Sequence, residues 1–309
     1  MVLVPVACGL LLLAFFGISL GVCRGAFLTS PKHRPDPFEL PRSRQFDPYR
    51  AEHCARVERL LQEEHESVQI TSFDGLKLSG KYYARVPGAP VAICVHGWRS
   101  TGVRDFSGGA LFLLEQGWNV LLIDQRAQGD SQGRAMTFGV KERFDCLSWA
   151  NWVVERCGAD VEIALYGVSM GAATVLMAAG LELPENVRCV VADSPYSSPA
   201  KIIRKVCRDR GIPPAAAWPF LYVGARLFAG FDLNGMTAAD AVSRTKIPVL
   251  VIHGSDDRFV PCAMSGEIAE ASPLAQRQVF PAAGHGVSFL ADRPRYEALI
   301  LDFTRRARS

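Results

Sequence analysis

The chain has 309 residues, of which 49% are hydrophobic, and a formal net charge of +3 at pH 7. This length can bury a large core and is ordinary for a single α/β domain with an insertion, and the small net charge argues against nucleic-acid binding. The nine cysteines include no C-x-x-C pair, which argues against a zinc ribbon or a thioredoxin-like motif. We expect free thiols in a reducing compartment.

The first part of the chain predicts a membrane anchor. Residues 1–23 carry no charged side chain, and at about 1.5 Å per residue they form roughly 33 Å of helix, enough to cross a hydrocarbon core. A cleaved signal peptide is the alternative, but no Lys or Arg precedes the apolar run and no A-x-A site follows it. We therefore expect residues 1–28 to be a single-pass anchor or, failing that, a signal.

Residues 29–50 predict a Pro-rich basic tether. Five prolines lie between positions 31 and 48, and basic residues outnumber acidic ones from Arg24 to Arg50. Such a segment is expected to be extended rather than part of a core. Because basic residues prefer the cytoplasmic flank of a span, we expect the globular part to face the cytoplasm. A solvated basic linker without topological meaning is the alternative.

Residues 51–309 predict one domain. A helix over 51–66 precedes alternating strands at 68–73 and 76–83, which are joined by an Asp74-Gly75 turn and start the sheet in antiparallel fashion. Continuous apolar strands then alternate with helices. We expect these strands at 91–95, 119–123, 161–166, 187–192 and 248–252, and helices at 109–116, 142–156 and 172–179. This pattern predicts an α/β fold whose sheet is mostly parallel and covered on both faces.

Residues from about 197 to 245 interrupt the alternation and predict a helical cap insertion. An amphipathic helix over 199–210 is followed by Pro213-Pro214 and by an apolar, aromatic-rich segment over 215–228. We expect this cap to line a substrate pocket, as loops over such sheets commonly do. A helical pair that simply packs on the domain is the alternative.

The sequence Gly167-Val168-Ser169-Met170-Gly171 lies between a predicted strand and a predicted helix, which is the context of a nucleophile elbow. A motif of this composition arises by chance in roughly one chain in ten, so the evidence rests on partners for Ser169. A serine nucleophile needs a base within hydrogen-bond reach and a third group that orients the base.

Of the six histidines, His285 is the one in a loop downstream of the sheet, so we expect it to be the base. The acid is expected at or just after the end of a strand between Ser169 and His285. Three carboxylates meet this condition: Asp193, Asp256 and Asp257. The order serine, aspartate, histidine along the chain is that of an α/β hydrolase. For the oxyanion hole we expect the backbone N–H groups of Met170 and Trp98.

These blocks resemble an α/β-hydrolase-fold serine hydrolase. The resemblance covers residues 67–307 and rests on His96-Gly97-Trp98, on the D-x-R-x-x-G-x-S block at 124–131, on the elbow, on Asp257-Arg258-Phe259-Val260-Pro261 and on Gly284-His285. It implies Asp257 rather than Asp256 as the acid, and it differs from many relatives in having Gln128 where they have histidine. The chain is most similar to membrane-anchored bacterial hydrolases described as prolyl-oligopeptidase-like or BAAT-like.

We therefore expect a serine hydrolase that cleaves a carboxylic ester through a covalent acyl-enzyme, with a thioester or an amide as the alternative substrate. A small-molecule or lipid-like acyl substrate fits an apolar cap and an anchor. An acyltransferase that uses the same acyl-enzyme and a non-catalytic binding protein are the alternatives. No Walker loop, H-E-x-x-H or G-x-G-x-x-G occurs, so we expect neither cofactor nor metal. The sequence does not predict an oligomeric state.

Overall fold

Eight strands form a single sheet in the computed structural model, which describes residues 3–29 and 35–308. Their order across the sheet is β1-β2-β4-β3-β5-β6-β7-β8. The bounds are β1 Glu66–Thr71, β2 Lys77–Tyr83, β3 Val91–Val95, β4 Asn119–Ile123, β5 Ile163–Val168, β6 Val187–Asp193, β7 Val249–Gly254 and β8 Ala275–Phe280.

The sheet begins antiparallel and continues parallel. β2 pairs antiparallel with both β1 and β4, and every other pair, from β4 to β8, is parallel. All residues of β3, β4 and β7 are buried, as expected for strands covered on both faces. The prediction of a mostly parallel sheet with an antiparallel start is confirmed.

Helices cover the two faces of the sheet and form two separate apolar cores. The helices are α1 Leu3–Ala26, α2 Arg50–Gln62, α3 Gly102–Glu115, α4 Glu142–Cys157, α5 Met170–Ala178, α6 Pro199–Asp209, α7 Pro214–Val223, α8 Ala238–Val242, α9 Ala263–Glu270, α10 Ser288–Ala291 and α11 Arg293–Arg308. One core joins the sheet to α4, α5, α8 and α9, and the other joins it to α2, α3 and α11.

Helix α3 begins seven residues earlier than the sequence pattern predicts, at Gly102 instead of position 109. Thr101 caps it, because its side chain accepts a hydrogen bond from the N–H of Arg104 at 3.1 Å. Gly108 lies in the middle of the helix, where glycine weakens the sequence signal. A Cβ at Gly108 would lie 2.3 Å from Cε1 of Phe289, so the glycine serves close packing.

The cap insertion consists of α6, α7, a π-helical segment Gly224–Ala229 and α8, between β6 and β7. It packs against α5, against the C-terminal half of α1, where Cys23 is fully buried, and against Phe27 just beyond α1, which is also fully buried. By length and composition α1 could cross a bilayer. Two of the residues predicted to belong to the anchor, Met1 and Val2, lie outside the described residues.

The predicted tether differs from expectation in its second half. Residues 30–34 lie outside the described residues, but residues 35–50 fold back onto the domain. Phe46 is buried, a 3₁₀ turn forms at Asp47–Tyr49, and Arg50 Nη1 donates to the carbonyl of Leu40 at 3.0 Å. Proline content alone did not show that Phe46 finds an apolar site on the domain.

Candidate active site

Ser169 lies at the tip of the turn between β5 and α5. Its backbone has φ +56° and ψ −116°, a strained conformation for a residue with a Cβ. The turn is fixed on both sides, since the N–H of Ser169 donates to the carbonyl of Asp193 at 2.8 Å and its own carbonyl accepts from Ala173 at 3.1 Å. The side chain therefore stands beyond the end of the strand instead of continuing it.

The two glycines of the motif are required by close packing of the backbone. A Cβ at Gly167 would lie 2.3 Å from the carbonyl oxygen of Gly171, and a Cβ at Gly171 would lie 1.8 Å from that of Val95. Real Cβ atoms do not approach backbone oxygen this closely. The elbow can therefore press against β3 only with glycine at both positions.

The structure brings His285 to Ser169. Its Nε2 lies 2.8 Å from Ser169 Oγ, and its Nδ1 lies 2.7 Å from Asp257 Oδ2. Because a carboxylate can only accept, Nδ1 carries the proton in the neutral ring, and Nε2 is left to accept from the serine hydroxyl. The three groups thus form one hydrogen-bonded chain at the carboxyl edge of the sheet.

Asp257 is the carboxylate nearest the imidazole, and its side chain is fully buried. Burial by itself would raise the pKa of Asp257, but the His285 and His253 imidazoles beside it hold that pKa well below its usual range. Its second oxygen, Oδ1, accepts from the N–H groups of Phe259 and Val260 at 2.9 and 2.8 Å. The carboxylate is therefore kept ionised and held in one orientation.

The other two candidate carboxylates lie elsewhere. Asp256 is exposed and bonds to the hydroxyl of Ser255. Asp193 is buried and accepts from the hydroxyls of Ser194 at 2.9 Å and Tyr296 at 3.0 Å. Burial raises the pKa of Asp193, and the two hydroxyls offset this only in part. Neither carboxylate is hydrogen-bonded to His285.

Asp193 nevertheless supports the loop that carries His285. Ser194, which donates to Asp193, accepts through the same Oγ from the N–H of Gly286 at 3.1 Å. Gly286 has φ +63° and follows the histidine directly. On the other side, the N–H of His285 donates to Gln45 Oε1 at 3.3 Å. The loop is thus fixed from β6 and from the N-terminal segment.

The predicted oxyanion donors flank the serine. Met170 is the first residue of α5, so its N–H has no partner within the helix. The loop after β3 touches the serine, since a Cβ at Gly97 would lie 3.3 Å from Ser169 Cβ. The N–H of Gly97 is occupied, because it donates to Asp105 Oδ2 at 2.7 Å. Trp98, the next residue, remains the candidate donor from this loop.

A cavity of about 560 Å³ opens beside Ser169 and His285. Its apolar wall includes residues of the N-terminal segment, of the β3–α3 region and of α10: Leu40, Phe46, Trp98, Phe106, Phe289 and Leu290. The cap insertion, which is described throughout, contributes no residue to this lining. The prediction that the cap lines the pocket is therefore wrong for this cavity, because the insertion instead packs on α1 and α5.

Sequence reasoning missed two residues that contact the site. Gln45 lies 240 positions from His285 along the chain and carries no motif that could have revealed it. His253 lies at the end of β7, and its Nε2 lies 3.1 Å from Asp257 Oδ2. Its position four residues before the acid was the available signal. No group of three His, Cys, Asp or Glu side chains suited to a metal ion occurs within the described ranges.

Comparisons with known proteins agree with this architecture. A family model described as "alpha/beta hydrolase fold" matches residues 90–226. YqkD of Bacillus subtilis, described as uncharacterized, is 24% identical over 247 residues, which are 78% of this chain and 80% of YqkD. The structure of the Pyrococcus furiosus esterase Pf2001 has a TM-score of 0.64 and 25% identity, and the match covers 80% of this chain and 93% of the esterase.

A third relative is the thiohydrolase aneE of Aspergillus aculeatus, 28% identical over 156 residues, which are 50% of this chain and 46% of the fungal protein. The chain has the α/β-hydrolase fold. Its similarity to hydrolases, an esterase among them, supports an esterase-like hydrolase of a small molecule. The narrower resemblance to prolyl-oligopeptidase-like or BAAT-like hydrolases stays a prediction.

Proposed function

We propose that the protein is a serine esterase in which Ser169 is the nucleophile, His285 the general base and Asp257 the residue that orients His285. The observation that carries this proposal is the chain of two hydrogen bonds, 2.8 Å from Ser169 Oγ to His285 Nε2 and 2.7 Å from His285 Nδ1 to Asp257 Oδ2. Distances of this size are those required for proton transfer between a nucleophile and its base.

In the acylation step, Ser169 Oγ attacks the ester carbonyl carbon while its proton passes to His285 Nε2. The carbonyl oxygen becomes an oxyanion, which the N–H groups of Trp98 and Met170 stabilise by hydrogen bonds. When the intermediate collapses, the bond from carbon to the alcohol oxygen breaks and the imidazolium returns its proton to that oxygen. The ionised Asp257 stabilises the imidazolium without taking its proton.

In the deacylation step, water replaces the alcohol and the same groups act again. His285 takes a proton from water, the hydroxide attacks the acyl-enzyme, and Ser169 leaves with the proton from the imidazolium. The product is a carboxylic acid. Losing one oxyanion donor in such enzymes typically costs about a hundred- to a thousandfold in rate, so Trp98 and Met170 are assigned a large share of the catalysis.

The cavity supports an ester with an apolar acyl or alcohol group. Leu40, Phe46 and Phe289 provide an apolar wall next to the serine. A thioester is the second candidate, because the similarity to a thiohydrolase covers half of the chain. An acyltransferase would use the same acyl-enzyme with an alcohol or amine in place of water.

The proposal is tested with p-nitrophenyl esters of graded acyl length, an acyl thioester and a peptide amide. We expect esters to be cleaved fastest, and Ser169→Ala to lower kcat by roughly 10⁵- to 10⁶-fold. Ser243→Ala is the matched control, since its exposed hydroxyl bonds only to its own helix, at the carbonyl of Asp240. Activity that survives in Ser169→Ala would reject the nucleophile, and faster acyl transfer to added alcohol than to water would favour an acyltransferase.

We also propose that residues 1–28 anchor the domain 51–309 to a membrane, with the catalytic domain in the cytoplasm. The length and apolar composition of α1 support a span, and the basic residues that follow support this orientation. Intact mass of the membrane-extracted protein tests for a cleaved signal. A C-terminal reporter tests the orientation, and activity confined to an extracytoplasmic reporter would reverse it.

A further inference from the structure

The apolar helix α1 does not project freely from the domain. Every fourth side chain along its C-terminal half, and one just beyond its end, turns towards the cap insertion: Phe15, Ser19, Cys23 and Phe27. The ring of Phe15 lies 4.8 Å from that of Phe220 in α7. A Cβ at Gly224 would lie 2.7 Å from the carbonyl oxygen of Ser19, so the two backbones are in close contact. Small residues at such a crossing are typical of helix pairs in membranes.

The part of α1 that is free of the cap is too short to cross a bilayer. The residues from Leu3 to Ala14 precede the first contact, and at about 1.5 Å per residue they span roughly 18 Å of a hydrocarbon core of about 30 Å. If α1 spans the membrane, the stretch from Phe15 to about Val22 also lies in lipid. The surface of α7 and of the π-helical segment packed against that stretch must then reach the same depth.

The exposed side of this part of the cap is suited to lipid. Its outward side chains are almost all apolar, and we call them the cap apolar face: Ala215, Ala216, Pro219, Leu227 and Phe228. Leu227 is 60% exposed, the highest fraction for a large apolar side chain outside α1 among the described residues. Arg226 lies among them, but its guanidinium is paired with Asp232 at 2.8 Å and can extend to the headgroups.

The neighbouring helix α6 is positively charged, and positive charge is attracted to anionic lipid headgroups. From Lys201 to Arg210, the region of α6 has five basic residues and one acidic residue. Arg204 lies 3.7 Å above the ring of Trp218 in α7, which puts a cation beside an aromatic ring next to the cap apolar face. Aromatic and basic side chains of this kind are enriched at the boundary between headgroups and acyl chains.

We propose that the cap apolar face is embedded in an anionic lipid bilayer together with α1. The domain then contacts the membrane directly instead of being attached to it only through an extended linker. The inference rests on the proposed anchor and extends it to a second surface. It also gives the insertion a role other than lining the cavity. Two residues of the cavity lining contact α1 and α6: Arg99 Nη2 donates to the carbonyl of Gly25 at 3.0 Å, and the carbonyl of Arg258 accepts from Lys205.

The test is photolabelling of the full-length protein in vesicles of phosphatidylcholine and phosphatidylglycerol that contain a lipid with a diazirine at the end of one acyl chain. We expect adducts on α1 and on Leu227 or Phe228. Leu274 and Leu301 are the matched controls, because they are 39% and 37% exposed against 37% for Phe228, and we expect no adducts there.

Adducts on α1 with none on the cap apolar face would overturn the inference but would still support the membrane anchor. Burial of the cap apolar face against a second copy of the chain would have the same consequence. Adducts on neither would reject the anchor as well. Neither outcome depends on activity, so the proposed esterase reaction is tested separately.

A second measurement uses the double variant Leu227→Asp with Phe228→Asp. We expect it to lower hydrolysis of a long-chain ester presented in the vesicles by roughly tenfold, because charged side chains are expelled from the acyl region. Hydrolysis of a water-soluble short-chain ester should not change. Leu301→Asp should leave both rates as in the wild type. Equal vesicle-dependent rates for the double variant and the wild type would contradict the inference.

Discussion

His253 Nε2 lies 3.1 Å from Asp257 Oδ2, the same oxygen that His285 Nδ1 approaches at 2.7 Å. The carboxylate is thus shared by two imidazoles. His253 is fully buried, and its Nε2 also lies 3.0 Å from the carbonyl of Val260. Since both neighbours of Nε2 are acceptors, that nitrogen carries the proton and donates to the carboxylate. His253 is a positioning residue, which acts on the reaction only through Asp257.

We expect His253→Ala to lower kcat about tenfold with little change in KM, which corresponds to the loss of one hydrogen bond to a charged group. His253→Gln, which keeps a donor, should recover most of the rate. A His253→Ala variant that folds and keeps the wild-type kcat, or a His253→Gln variant that is as slow as His253→Ala, would contradict this role.

Gly171→Ala should prevent folding. The added Cβ would lie 1.8 Å from the carbonyl oxygen of Val95, an overlap that only movement of the elbow away from β3 can relieve. The expected cost is above about 4 kcal/mol, measured as loss of soluble protein or of the cooperative thermal transition. Gly109→Ala is the control, because its nearest neighbour would be 3.9 Å away in the same helix. That variant should be as stable as the wild type or up to about 1 kcal/mol more stable.

Leu40→Trp should reduce activity towards esters with long acyl chains. Leu40 belongs to the N-terminal segment that forms one wall of the cavity, and a larger side chain there occupies volume beside Ser169. We expect kcat/KM for the longest accepted p-nitrophenyl esters to fall about tenfold, with the short esters little changed. Leu61→Trp is a matched control on the exposed side of α2. An equal loss for all chain lengths would mean that the segment does not bound the acyl or alcohol site.

Protonation of Asp257 should lower the free energy of unfolding at acid pH. Because its pKa in the folded protein is lowered, it stabilises the fold fully above the ordinary aspartate value of about 4. That stability is lost as the pH falls from there towards the lower folded-state pKa. In urea unfolding of the detergent-solubilised protein, the difference between the wild type and Asp257→Asn should be constant above about pH 5 and shrink below about pH 4.

The sequence predicted the sheet well because its signals are local. The runs at 91–95 and 119–123 coincide with β3 and β4, and the other predicted strands, which correspond to β1, β2, β5, β6 and β7, agree within about two residues. Buried parallel strands are easy to predict because they are continuous apolar runs. The elbow and the residues proposed for catalysis stand next to strand ends, where Gly and His are visible in the sequence. Ser169, Asp257 and His285 meet in the structure as that reasoning requires.

The walls of the cavity were not predictable in the same way. Leu40, Gln45 and Phe46 contact the site through packing between parts of the chain more than 100 residues apart, and nothing in their local sequence differs from a linker. The cap was assigned to the cavity by its aromatic content. In the structure Phe220 instead packs against Phe15 of α1, and Phe228 is exposed. Sequence periodicity predicts the apolar face of a helix but not its partner.

The central claim is that Ser169 is the nucleophile, and labelling with a fluorophosphonate followed by peptide mass spectrometry tests it most directly. The account predicts a single adduct on Ser169 in the folded protein, no adduct in Ser169→Ala, and labelling slowed by several orders of magnitude in His285→Ala. An adduct on another serine, or no adduct in protein that hydrolyses esters, would contradict it.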